Sequence, residues 1–264
     1  MPQRDGDVYY LTFPDTCRFK IELAEQCVTV FEVSESALDA DLAHFLHDHV
    51  APRIIAETGT LVLHASAVEI NGRLALFLGQ TGAGKSSLSA SLDARGHRLM
   101  GDDAVIIERD GDGTTIGEPV YPSLRLFPEA IDALVGPAAE TELMAGYSDK
   151  RHVKLTQLRD RAGTRLPVAA LFFLEGDTGA DICAIRALSA TRACIQLVEQ
   201  SFSMDPSDPA CGARRLAACS ALSLKLPAFQ LTYPHDFNRL PEVHDLITKT
   251  METLETASMC GASQ

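Results

Sequence analysis

Eight consecutive residues, Gly79-Gln80-Thr81-Gly82-Ala83-Gly84-Lys85-Ser86, follow the order G-x-x-x-x-G-K-[ST]. Glycines let backbone amides turn towards one centre and cradle phosphate oxygens. A helix beginning near Lys85 aims the positive end of its dipole at the same anion. Lys85 can reach the outer phosphates, and Ser86 offers a hydroxyl oxygen to Mg²⁺. The expected nucleotide-binding set is Gly79, Gln80, Thr81, Gly82, Ala83, Gly84, Lys85, Ser86 and Ser87. The ligand that fits is a nucleoside triphosphate, ATP foremost. The bland alternative is a glycine-rich loop opening an ordinary helix. An apolar strand pattern before the loop and a helical pattern after it favour phosphate binding.

Asp102 and Asp103 follow 16 residues after Ser86. Phosphoryl transfer needs a carboxylate near the metal and a group that orients the nucleophile, and adjacent aspartates can divide the two tasks. A solvated turn is the competing reading. His64, in LVLHASAV, would lie near the base of the loop strand, although a histidine among apolar residues is more often a hydrogen-bonded core residue. Arg125, Lys150 and Arg151 are the basic candidates for steadying a transferring phosphoryl group, and by sequence alone each reads as surface charge. His44, His47 and His49 invite a metal reading. On an α-helix, however, 44 and 47 align while 49 is rotated away, so a solvated helix face is expected instead.

The elements that must position these groups are legible in outline. Residues 8–33 read as short antiparallel strands, and 36–57 as a helix with Leu38, Leu42, Phe45, Leu46 and Val50 at helical spacing. Residues 61–78 read as a hairpin turned at Asn71-Gly72, its second strand feeding the glycine loop. KSSLSASLDAR follows as a helix that Gly96 can end. GDDAVIIE is a strand with the aspartates at its entrance, and Pro128–Val135 is a short helix. Leu166–Glu175 is a continuous apolar run of the kind buried on both faces of a sheet. Further elements are a strand at 181–188, a helix capped by Ser189, a helix near 209–222, a strand at 228–233, and a last helix over 240–257 with a frayed tail.

Apolar residues make up 46% of the 264, enough for a full core, and without tryptophan that core must be largely aliphatic. The net charge of −13 repels phosphate backbones and argues against nucleic acid as a partner, while leaving room for a local basic pocket. Seven cysteines without a C-x-x-C motif read as reduced thiols, which points to the cytoplasm. No signal-peptide pattern opens the sequence, and no apolar run is long enough to span a bilayer.

Residues 61–108, with the strand histidine, the NG turn, the loop, the RGH segment and the Asp-Asp pair in order, resemble HPr kinase/phosphorylase and the wider HPr-kinase-like serine kinases. YPSLRLF, DKR and LFFLE extend a looser likeness to about residue 175. The resemblance implies an α/β P-loop fold of the HPr kinase C-terminal and phosphoenolpyruvate carboxykinase kind, a mixed sheet flanked by helices. It implies ATP and Mg²⁺, with Asp102 as base, Ser86 and Asp103 on the metal, His64 lining the site, and Arg125 and Arg151 near phosphate or substrate. It also implies a small protein or peptide serine as acceptor. A closer likeness to short kinases of ribosomal peptide pathways makes a lasso-type precursor peptide the leading expectation. A homo-oligomer is compatible with it. The expected organisation is an N-terminal α+β region, 1–57, packed on a kinase domain, 58–260. Two rivals stand beside this reading: a nucleotide-dependent peptide-binding module without catalysis, and a small-molecule kinase or carboxykinase.

Overall fold

The computed structural model describes residues 2–176, 179 and 181–261. A nine-stranded mixed sheet carries the molecule. Its main path runs Leu61–Leu63, Val105–Arg109, Thr115–Pro119, Leu166–Leu174, Arg73–Leu78, Ala65–Ile70 and Arg98–Gly101. Leu166–Leu174 lies parallel to Arg73–Leu78 and, on its other edge, parallel to Ala228–Thr232, which pairs antiparallel with Ala184–Ala187. The fold is therefore α/β, as expected, with helices on both faces of the sheet.

Strand alternation explains the two helical layers. Leu74, Leu76 and Leu78 point to one face, where they meet Ala193 and Leu197 of the helix Ala190–Glu199 and Leu222 of Pro209–Lys225. Ala75 and Phe77 point to the other, against Leu88 and Leu92 of Lys85–Ala94 and Val243 and Ile247 of Leu240–Gly261. Phe77 and Phe172 are fully buried and stack with their centroids 5.5 Å apart. Truncating such a ring leaves a cavity that the sheet cannot collapse to fill. Phe172→Ala is expected to lower unfolding free energy by about 3–5 kcal/mol, read as a shift of the urea midpoint at unchanged slope.

The turn at Asn71-Gly72 is as the sequence implies, with φ of 52° and 77°. The hairpin, however, begins at Ala65 rather than Leu61. The His64 amide donates to the Gln200 carbonyl (2.7 Å) and the Phe202 amide to that of Val62 (2.9 Å). These bonds draw Leu61–Leu63 away to pair with Val105–Arg109, and His64 sits at the break. The later elements differ in length: Ala184–Ala187 is shorter than expected, while Pro209–Lys225 and Leu240–Gly261 run on further. Residues 262–264, and the Cys260 side chain, lie outside the described residues. Six cysteines are free thiols.

Residues 3–31 form a separate four-stranded antiparallel sheet, Gln3–Asp5, Val8–Phe13, Cys17–Glu22 and Cys27–Phe31. Its inner face, Tyr9, Leu11, Phe19 and Ile21, packs with Phe45, Val50 and Met204. The expected helix over 36–57 is not uniform. It is α-helical over Asp39–His44, π-helical over Phe45–Val50, and α-helical again over Ala51–Glu57. The Ala51 amide donates five residues back, to Leu46, and Pro52 has no amide hydrogen to restore the tighter spacing. No described helix is long and apolar enough to cross a membrane.

Candidate active site

The loop 79–84 leaves the buried strand Arg73–Leu78 and enters the helix Lys85–Ala94. Two of its glycines are demanded by geometry. Gly84 has φ of 90°, and a Cβ there would lie 2.7 Å from the Tyr233 hydroxyl. A Cβ on Gly79 would meet the Leu174 carbonyl oxygen at 2.9 Å. Lys85 is buried and donates from Nζ to the carbonyls of Gly79 (2.7 Å) and Gln80 (3.3 Å).

Burial lowers the Lys85 pKa to about 8, Lys150 adds to the effect, and Asp102 opposes it. The protonated ammonium is the form that binds phosphate, and half of it is lost at that pH. Apparent affinity for ATP is accordingly expected to weaken as pH rises through about 8. Calorimetric titration between pH 7 and 9 would check this, and Lys85→Ala should flatten the profile.

The two aspartates face different ways. Gly101 permits the close approach that brings them in, since a Cβ there would lie 2.6 Å from the Pro119 side chain. Asp102 is 2% exposed, and neither carboxylate oxygen has a hydrogen-bond partner. Burial raises its pKa, while Ser86, Lys85, Lys150 and Ser66 act against the rise. Asp103 has φ of 74°, a left-handed conformation that aspartate tolerates, and this turns its side chain into the pocket.

There Asp103 meets two partners. His64 Nε2 lies 3.3 Å from one carboxylate oxygen, and the Arg125 guanidinium forms an ion pair with the other. Burial, then Lys85 and Lys150, holds His64 down at about 3, so at neutral pH the ring is uncharged. The carboxylate can only accept, so Nε2 carries the hydrogen and donates it. Arg125 is 3% exposed, not surface charge. Its pKa falls with burial to about 10, which still leaves it charged at neutral pH.

His64, Thr81, Gly82, Gly84, Lys85, Ser86, Ser87, Asp103, Arg125 and Lys150 thus line one pocket, closed at its edge by Leu126 and Phe127. Three cations converge there in a chain of net charge −13. Arg151 does not join them. On the strand Ser148–Val153 neighbouring side chains take opposite faces, so Lys150 turns to the pocket, its Nζ 5.3 Å over the Phe127 ring, and Arg151 is exposed.

The histidine run also departs from expectation. The π-helical turn widens the spacing, so His44 and His49 become neighbours, their rings 5.4 Å apart. Their surroundings are largely buried rather than solvated, and burial lowers both pKa values to about 4. Among the described residues no cluster of metal-ligating side chains forms.

Asp48 is a residue of the Arg125 cluster that reading the sequence does not single out. From the helical layer it forms an ion pair with Arg125, and the same Arg125 nitrogen lies 3.1 Å from His44 Nδ1. Only its position four residues after His44 hints at it.

This sheet, loop and pocket define an α/β protein with a glycine-rich loop between a buried strand and a helix. Residues 56–126 match the family model of the HPr Serine kinase C-terminal domain. The HPr kinase/phosphorylase of Lachnoclostridium phytofermentans is 36% identical over 101 residues, which cover 38% of this chain and 30% of that protein. The HPr kinase/phosphorylase of Halalkalibacterium halodurans is 35% identical over 85 residues, covering 32% and 25% respectively. A solved structure of the Hpr(Ser) kinase/phosphatase from Coxiella burnetii aligns over 77% of this chain and 98% of that one, at 15% identity and a TM-score of 0.39. The matched stretches thus span a third or less of the two kinase/phosphorylases. The chain is HPr-kinase-like through this segment, which holds His64, the loop, both aspartates and Arg125 and leaves Asp48 and Lys150 outside.

Proposed function

We propose that the chain is an ATP-dependent serine kinase acting on a small protein or peptide. The observation that carries this reading is the convergence of a phosphate-binding loop, a pocket-facing carboxylate and two further cations, Arg125 and Lys150, in one cleft. The HPr-kinase-like segment containing the loop supports it.

In this reading the loop amides and Lys85 hold the β- and γ-phosphates, with Lys85 turning from its loop carbonyls to the nucleotide. The buried, unpartnered Asp102 carboxylate and the Ser86 hydroxyl are hard oxygen donors of the kind Mg²⁺ takes, so the donor set fits the ion. Bound there, Mg²⁺ would offset charge on the phosphates. Asp103 faces the acceptor and takes the proton of the serine hydroxyl as its oxygen bonds to phosphorus and the bond to ADP breaks. His64 and Arg125 orient that carboxylate, and Arg125 and Lys150 stabilise charge on the transferring group. The two aspartates therefore exchange the roles expected from the resemblance: the buried one serves the metal and the pocket-facing one serves the hydroxyl.

The acceptor we favour is a serine of a lasso-type precursor peptide, on the strength of the sequence resemblance to short kinases of ribosomal peptide pathways. Incubation with Mg·ATP and, separately, a precursor peptide encoded beside the gene, HPr-type proteins and small alcohols tests the class. Phosphate on the peptide supports the reading. Phosphate on a small alcohol alone assigns a small-molecule kinase, and nucleotide-dependent peptide binding without product assigns a binding module.

A further inference from the structure

Arg125 is held at both ends, and one of its holders comes from outside the family-matched segment. One terminal nitrogen, Nη1, pairs with Asp48 and lies 3.1 Å from His44 Nδ1, while Nη2 pairs with Asp103. The Arg125 side chain is 4% exposed and that of Asp48 15%. Tyr147 and His152, from the hairpin Thr141–Val153, also act on this cluster electrostatically. From these contacts we infer that Asp48 is a positioning residue for Arg125, so that the helical layer 39–57 completes the active site. The inference rests on the kinase reading given above.

A buried guanidinium stays charged and needs carboxylate partners to offset the cost of its burial, and a planar fork gripped at both ends has its plane fixed. Asp103 grips one end of the fork from the pocket side, and Asp48 grips the other end from outside the pocket. Asp48 does not line the pocket, so its grip on Nη1 does not depend on what binds there. The π-helical turn Phe45–Val50 is the local device that carries it, since the extra residue in that turn sets where Asp48 and His44 point together at Arg125. Such turns recur at functional sites. Asp48 thus tethers Arg125 without touching the reacting atoms.

The test uses the full chain and four variants: Asp48→Asn, Asp48→Glu, Arg125→Ala, and Asp48→Asn combined with Arg125→Ala. Asp48→Asn is expected to lower kcat for ATP turnover by up to about 10²-fold, with KM for ATP changed by about twofold or less. Asp48→Glu should recover most of the loss. In the Arg125→Ala background, Asp48→Asn should have no further effect, because its only route to the chemistry is gone.

Full activity in Asp48→Asn overturns the inference. So does an undiminished effect in the Arg125→Ala background, or a loss that follows the melting temperature and is not recovered by glutamate. If the wild-type chain turns over no ATP, it is the kinase reading that falls. Asp48 is then judged on calorimetric affinity for pyrophosphate in the same proteins, where non-additivity with Arg125 supports the tether and simple additivity overturns it.

Discussion

Arg125→Ala is expected to lower phosphate transfer by about 10³-fold or more, the range seen when an arginine that offsets charge on a transferring phosphoryl group is lost. The size follows from where the side chain sits. It is nearly fully buried, stays charged at neutral pH, and has one terminal nitrogen on the pocket-facing Asp103. In the proposed mechanism its removal takes away the charge that opposes the negative transition state and frees Asp103 to adopt other rotamers. It also strands Asp48 and Asp103 as two part-buried carboxylates with less compensation, so some stability is lost as well. Arg125→Lys separates the two effects. A lysine keeps the charge but cannot grip both carboxylates with a planar fork. It should retain most of the melting temperature while recovering only a small part of the rate. The measurement is kcat under saturating ATP, with the thermal midpoint recorded on the same samples.

Asp103→Asn is expected to cost about 10²–10⁴-fold in kcat while leaving affinity for Mg·ATP almost unchanged, as befits a group that accepts a proton in the transition state. Asp102→Asn should behave differently. Its carboxylate is buried beside Ser86 and Lys85, so its loss should raise the Mg²⁺ concentration needed for half-maximal binding of ATP. The pair of variants is a direct check on the exchange of roles. If Asp102→Asn alone abolishes transfer with nucleotide and metal binding intact, while Asp103→Asn transfers normally, the assignment reverts to the one drawn from the resemblance.

The loop was legible in the sequence because its requirements are local. Gly84 needs positive φ and room beside Tyr233, and nothing but glycine meets both. The same holds for Asn71-Gly72, where the turn type is written in two residues. The aspartate pair was legible as a pair but not as one buried and one pocket-facing carboxylate. Which carboxylate faces the pocket depends on the left-handed backbone of Asp103 and on the tight packing of Gly101 against Pro119. Neither is visible in the order of residues.

Lys150 and Arg151 show a second limit. Choosing between adjacent cations needs the phase of their strand, and that phase is set by pairing with Arg125–Leu126 and Thr141–Ala145. Helical spacing placed His49 away from His44, yet the π-helical turn brings the rings together. Asp48 was hidden for the same reason, since its meaning comes from a partner 77 residues away, 125 less 48. Across this chain, contacts made within a few residues were readable, and contacts made by the fold were not.

The most direct test of the central claim is mass spectrometry of serine-bearing peptide and protein acceptors after incubation with the full chain and Mg·ATP, fragmented to locate any modification. The account expects one added phosphate on a serine, formed at the expense of the ATP γ-phosphate and lost in Asp103→Asn. Tight, Mg²⁺-dependent ATP binding with no phosphorylated acceptor, and no difference between wild type and Asp103→Asn, would contradict it.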